Sequence, residues 1–208
     1  MTSEKTTRAY RMRRRAELQA QTRLRITEAA VELHGTVGPA RTSVKAIAQR
    51  AGVERATVYR HFPDERALFG ACSSHWRAAN PSPDPAAWAA IADPEERLRH
   101  ALAELYRYYG ETEEMLGNLL RDAATVPIVA ELMDGFRARL DAMRDALLRG
   151  RGERGRARAD VRAAIGHALA FATWSSLVRA EGVEEARAVR LMCGMVAAAG
   201  SGDRARTG

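Results

Sequence analysis

The sequence predicts an all-α protein of about nine helices: a three-helix N-terminal head containing a helix-turn-helix, then a larger C-terminal helical bundle. Three observations predict it. Apolar residues recur at i, i+3, i+4 and i+7 in almost every ordered-looking segment, and no stretch alternates apolar and polar as a half-buried strand does. Glycine and proline punctuate the chain where such segments end. Asp93-Pro94-Glu95-Glu96 combines an N-cap, a proline at the first helical position, early acids and a capping-box glutamate.

The elements follow in order. Residues 1–8 read as a disordered tip. A first helix is expected from about Ala9 to Val37, its apolar stripe being Ile26, Ala29, Ala30 and Leu33, ended by Gly35 and Gly38-Pro39. Ser43 caps a short helix carrying Val44, Ile47, Ala48 and Ala51, and Gly52 stops it at a position suited to left-handed backbone. A third helix is expected over Glu54–His61, and Pro63-Asp64 opens a fourth through Leu68, Phe69 and Trp76. Three prolines within Asn80–Pro85 predict a loop. The helix opened at Asp93 carries Leu98, Leu102, Leu105 and Tyr109 and is expected to stop at Gly110. A separate helix with Met115, Leu116, Leu119 and Leu120 should follow. Another begins at Pro127 with Met133, Phe136, Leu140 and Leu147. After a Gly/Arg-rich loop at Gly150–Gly155, two last helices span about Asp160–Ala180 and Glu184–Ala199, separated at Gly182. Gly200–Gly208 reads as disordered.

The 208 residues carry 33 Lys/Arg against 26 Asp/Glu, a net charge of +7, with 31 arginines and only Lys5 and Lys45 as lysines. Residues 1–66 hold 14 basic and 7 acidic side chains, so the whole excess lies in the first third and the remainder is neutral. Such asymmetry points to a polyanionic partner. Arginine bias alone reflects base composition of a genome, but does not explain clustering. A second cluster, Arg149–Arg158, has five Arg and one Glu, leaving the other residues after 66 at −4. It faces DNA only if its loop reaches that far; otherwise it is a solvated interhelical loop. No apolar run approaches the ~18 residues of a membrane span, and no apolar stretch follows the basic N-terminus as a secretory signal requires. Cys72 and Cys193 are too few and too scattered for a disulfide framework or zinc site. A reduced, cytoplasmic protein is expected.

Two short helices joined through a glycine turn form a helix-turn-helix. Ile47, Ala48, Ala51, Val53, Val58 and Phe62 supply the apolar crossing. With Val58 set inward, the 100° helical step turns Ala56 and Arg60 outward, flanked by Thr57 and Tyr59. That face offers groups able to enter a major groove and reach base edges or phosphates.

The run Arg41–Phe69, with Ala51-Gly52-Val53, Thr57-Val58-Tyr59 and His61-Phe62-Pro63 in register, strongly resembles the TetR/AcrR family of bacterial transcriptional regulators. Arg25–Leu33 looks like that family's first helix, so the resemblance covers about residues 20–80. It implies that Lys45, Arg55, Ala56 and Tyr59 approach bases and that Ser43, Thr57, Tyr59 and His61 contact the DNA backbone. The angular argument agrees on Ala56, Thr57 and Tyr59 and adds Arg60. Three positions depart from the family pattern: Glu54 replaces the usual serine cap, Ala56 stands where glycine is common, and Glu65 replaces a lysine that often meets phosphate. The Arg11–Arg15 run extends the first helix along the DNA backbone, enters the minor groove as an arm, or is a solvated tail.

The resemblance divides the chain into a basic N-terminal arm (1–19), a DNA-binding domain (20–80), a ligand-binding and dimerisation domain (81–200) and a tail (201–208). Small residues from Ala163 to Ser176, beside Ile165, Leu169, Leu177, Val189, Met192 and Val196, permit close helix approach. They pack within the monomer or, as the resemblance implies, make a homodimer through residues 160–199. Paired heads would read half-sites of a palindromic double-stranded operator. The implied function is a regulator, taken as a repressor, released by a small apolar or aromatic effector. The residues expected to enclose that effector are Trp76, His100, Tyr106, Tyr109, Leu116, Leu120, Phe136, Phe171 and Trp174, aromatic and aliphatic groups that equally suit a core. The alternatives are a ligand-independent packaging protein and an enzyme. His34, His61, His75, His100 and His167 show no metal-ligand spacing, and no nucleophile elbow, phosphate loop or H-E-x-x-H occurs. No catalytic residue, metal or cofactor is expected.

Overall fold

The computed structural model describes residues 2–201, with side chains from Tyr10 onward. Among these residues there is no strand. The helices are α1 (Thr2–Thr36), α2 (Val44–Ala51), α3 (Arg55–His61), α4 (Glu65–Ala79), α5 (Pro94–Asp122), α6 (Pro127–Leu148), α7 (Gly155–Ala168), α8 (Phe171–Ser175) and α9 (Glu185–Ser201). Short 3-10 turns lie at Pro39–Arg41 and Ala87–Ala90, and a π turn at Ser176–Ala180 prolongs α8. No helix among the described residues is long and apolar enough to cross a membrane.

The chain forms two compact units. The first contains the residues up to Pro81 with Glu114–Ala130; the second contains Ser82–Glu113 and the residues from Glu131 on. Residues 114–130, which chain order groups with the later helices, therefore pack with the head.

In the first unit, Ile26, Ala29 and Ala30 of α1 meet Ile47, Ala48 and Ala51 of α2, Val58 and Phe62, and Leu68 and Cys72 of α4. The last turns of α5 close this unit against the end of α1. Asn118 Nδ2 donates to the His34 and Gly35 carbonyls (3.1 and 2.5 Å), and Asp122 Oδ2 accepts the Ala40 amide at 2.9 Å. The Asn118 bonds satisfy carbonyls that a helix end leaves without partners, and Asp122 takes up an amide of the turn that follows. Gly38, at φ +92°, sits between them; a Cβ there would lie 2.5 Å from the Asp122 carboxylate, so the turn needs glycine for both its backbone and its space.

Asp93 caps α5 as expected, its carboxylate accepting the Glu95 and Glu96 amides at 3.3 and 3.1 Å. Gly110 does not end the helix. α5 runs unbroken through it to Asp122, because one interior glycine costs only ~1 kcal/mol, and the buried residues on either side, Leu105, Tyr109, Leu116 and Leu119, hold both halves in helix.

The single helix expected over Asp160–Ala180 is broken. α7 ends at Ala168, Ala170 is extended (φ −71°, ψ 134°), and α8 starts afresh at Phe171. Three side chains take up the carbonyls at the break. Tyr106 Oη donates to Ala168 O (3.0 Å), Tyr109 Oη to Leu169 O (2.6 Å) and Thr173 Oγ1 to His167 O (2.7 Å). Backbone carbonyls buried without such donors would each cost a desolvation penalty. At the chain's start, α1 begins at Thr2, so residues 2–8 are helical and not a disordered tip. Gly200 and Ser201 likewise belong to α9, and the rest of the tail lies outside the described residues.

Candidate nucleic-acid interface

α2 and α3 form the helix-turn-helix. Ser43 caps α2, its Oγ accepting the Ala46 amide at 3.1 Å. Gly52 closes the helix in left-handed backbone (φ 65°, ψ 42°), and the Val53 amide then reaches back to Ala48 O at 3.0 Å. This geometry lets three residues reverse the chain into α3. Glu54 occupies the N-cap of α3 but makes no side-chain cap bond, as the exchange of a short hydroxyl side chain for a longer one predicts.

Val58 and Phe62 are 1% exposed and anchor α3 to the core. Their inward direction turns Arg55, Ala56, Tyr59 and Arg60 to the surface, with Thr57 and His61 half-buried at the edge. Tyr59 is 48% exposed, a large ring presented to solvent. Lys45 and Ser43 are also exposed. All eight sequence-selected positions thus lie on α2, α3 or the cap between α1 and α2, and six of them line one short helix. Arg60 Nη2 approaches Thr57 Oγ1 at 3.4 Å.

Arg23, which carried no signal in the sequence, fixes the end of α3. Its Nη1 donates to His61 O at 2.6 Å while its guanidinium stacks over the Phe62 ring at 4.1 Å. A cation thereby lies at the C-terminus of α3, where the helix dipole favours it. Burial, then the Arg60 and Arg23 charges, lowers the His61 pKa, so the imidazole is neutral at pH 7 and can donate one N–H to a phosphate.

Between α1 and α3 runs an open groove of about 330 Å³, lined by Arg15, Leu18, Gln19, Thr22, Arg60 and His61. The Arg11–Arg15 run is part of α1, fully exposed, with Arg13 bonded to Glu17 at 3.1 Å. Of its three readings, the helical extension matches this backbone. It also places Arg15 beside the end of α3.

The nine residues expected around an effector divide between the two units. Trp76, Leu116 and Leu120 lie in the first unit, where Leu116 is buried and Leu120 is 38% exposed. In the second unit, His100 sits on the surface 3.5 Å from Glu104, and Phe136 is half-buried on α6. Tyr106, Tyr109, Phe171 and Trp174 do come together. Tyr109 meets Phe171 edge-on at 5.3 Å and Trp174 at 6.0 Å, and Phe171 and Trp174 are 5.3 Å apart. Trp174 is fully buried, yet its indole N–H has no partner among the described residues. Its spacing from Tyr109 on another helix is a contact that no periodicity reveals.

Among the described residues no three His, Cys, Asp or Glu side chains are grouped to hold a metal ion. Cys72 lies instead 3.8 Å from His34 Nδ1, and His34 stacks on Phe69 at 4.8 Å. Burial lowers the His34 pKa to about 4 against the opposing charge of Asp122, and raises the Cys72 thiol to about 11. Both are neutral, inert parts of the core.

Residues 26–72 match the model for bacterial regulatory proteins of the tetR family. No curated protein matches the sequence significantly. Among solved structures, a TetR-like transcriptional regulator from Rhodococcus sp. RHA1 is 21% identical over 87% of this chain and 96% of its own, with a TM-score of 0.61. NalD, the secondary repressor of the MexAB-OprM multidrug efflux pump in Pseudomonas aeruginosa, is 20% identical over 88% and 97%, TM-score 0.57. SmeT in its triclosan complex is 23% identical over 86% and 91%, TM-score 0.56. At these identities what is shared is the fold.

Proposed function

We infer, from a head that matches the tetR-family model over residues 26–72 and a fold shared with a TetR-like regulator, that the chain is a transcriptional regulator that binds a palindromic double-stranded operator as a homodimer and acts as a repressor relieved by a small apolar or aromatic effector. One observation carries the reading. The anchored α3 presents Arg55, Ala56, Tyr59 and Arg60 outward, within the only third of the chain that carries the net charge. Major-groove readers use just such a short helix, guanidinium and phenol groups reaching bases while flanking cations hold phosphates.

The remaining parts of the reading have separate supports. For pairing, α9 leaves Leu191, Gly194, Ala197 and Ala198 exposed on one side, and Ala163, Ala172 and Ser176 are exposed nearby in sequence. Small exposed residues together with the exposed Leu191 suit close packing against a second copy through residues 160–199. For an effector, Tyr106, Tyr109, Phe171 and Trp174 form an aromatic cluster with an unsatisfied indole donor. Binding there would shift the population between DNA-competent and released states. The solved complex of SmeT with triclosan and the repressor role of NalD lend the analogy.

Selection of genomic fragments by the full chain, followed by footprinting, tests this. One protected palindrome, bound by two chains in sedimentation, supports regulation. Uniform coverage of DNA without a preferred site would favour the packaging alternative.

A further inference from the structure

We propose that the turn between α6 and α7 is a binding site for a small molecule carrying two or more phosphate groups. Leu148, Arg149, Gly150, Arg151, Gly152, Arg154 and Arg158 line an open groove of about 600 Å³ there. Gly150 takes φ +74°, so the chain doubles back on itself and gathers the arginines within ten residues.

Two of the nearby arginines build the site, and three are left to act. Arg151 is buried and spoken for: Nη1 pairs with Glu95 at 2.8 Å, and Nε donates to Leu147 O at 3.2 Å. Arg97, also buried, donates to Ile91 O at 2.8 Å and to the Arg149 carbonyl, tying the loop backbone down from beneath. The guanidiniums of Arg149 and Arg158 are exposed and have no ion-pair or hydrogen-bond partner among the described residues, and the Arg154 guanidinium reaches only the Gly152 and Glu153 carbonyls. α7 starts at this turn without a side-chain cap.

Three uncompensated guanidiniums on a backbone already held in place form a preorganised anion receptor, since the guanidinium fork matches phosphate oxygens bidentately. The sequence favours a small ligand over duplex DNA, because outside Arg149–Arg158 the residues after 66 sum to −4 and supply no net positive charge to extend the cluster. A duplex needs a continuous basic stripe, and the arginines nearest in sequence on α6 and α7, Arg144, Arg156 and Arg162, are each paired with an aspartate.

The test is calorimetric titration of the full chain with pyrophosphate at low salt, for the native protein, the triple variant Arg149→Gln/Arg154→Gln/Arg158→Gln, and Arg137→Gln as a control outside the groove. The expected result is saturable binding that the triple variant weakens at least about tenfold and the control leaves unchanged. The single variants Arg154→Gln and Arg158→Gln, at exposed positions, decide the matter if the triple variant melts early. In parallel, a random duplex should bind native and triple variant alike. Absence of saturable binding, or equal affinity in the groove variants, overturns the proposal. A triple variant that loses duplex affinity as steeply as pyrophosphate affinity overturns it in favour of a DNA-backbone surface.

Discussion

Replacing Tyr109 by Phe removes one oxygen and leaves the ring in place. The phenol is fully buried, its oxygen 2.6 Å from the Leu169 carbonyl, itself in a residue 1% exposed. That carbonyl lies at the end of α7, where Ala170 has left helical geometry, so no backbone amide replaces the lost donor, and water has no access. The variant should therefore be destabilised by the desolvation penalty of a buried acceptor, about 2 kcal/mol within a range of ~1–3. For a chain of this size that lowers Tm by roughly 4–8 °C. Urea unfolding followed by far-UV circular dichroism measures it, with the transition slope unchanged. There is a second signature. Burial, and then the neighbouring Tyr106 and Tyr108, raise the Tyr109 pKa above its ordinary value of 10. The neutral phenol is thus favoured in the fold, and its contribution is complete below pH 10 and lost as pH rises further. Native stability should fall above pH 10, and less steeply in Tyr109→Phe. Stability of the variant within ~0.3 kcal/mol of native at pH 7 would refute the idea that this bond maintains the break.

The buried neutral His34 predicts acid sensitivity: with its pKa at about 4 in the fold against 6.5 unfolded, stability falls as pH drops below 6.5, by about 2 kcal/mol at pH 5, and His34→Leu should flatten that slope in denaturant titrations. Gly110→Ala should stabilise by ~0.5–1 kcal/mol, because an added Cβ meets Trp174 and Glu185 only at ordinary contact distances of 3.8 and 3.7 Å; a lower Tm would mean the glycine is needed. Arg55→Ala should weaken operator binding by ~1–3 kcal/mol concentrated at one base pair, read by titrating a panel of single-base operator changes. Deleting residues 1–15 should weaken binding to all sequences and reduce the salt dependence of affinity; identical salt plots would show that this end of α1 is idle.

The head was readable from sequence because its instructions are local. Ser43, Gly52, Asp64 and Asp93 each act within a turn of their own position, and the burial of Val58 and Phe62 follows from spacing alone. The same spacing turned Ala56, Tyr59 and Arg60 outward. The role of Arg23 is not legible in sequence, because an arginine on an amphipathic helix carries no mark of the carbonyl and ring, nearly forty residues away, that it holds. The expected effector residues rest on the resemblance and on residue type, and neither says which aromatics meet.

Where helices stop is the clearest division between the two sources. Caps and left-handed glycines encode ends in a few consecutive residues, and those ends were predicted. Gly110 looked like such an end and is not, since flanking core contacts outweigh a small propensity cost. The break after Ala168 has no local breaker at all: Leu169 and Ala170 are ordinary helix formers. It exists because Tyr106 and Tyr109, some sixty residues earlier, bring hydroxyls to two carbonyls that would otherwise be buried unpaired. Sequence alone established that this chain is helical, which third of it holds the charge and which edge of α3 faces outward. The continuity of α5, the interruption between α7 and α8 and the grouping of the aromatics were settled by long-range packing, because a buried hydrogen bond depends on who arrives in space.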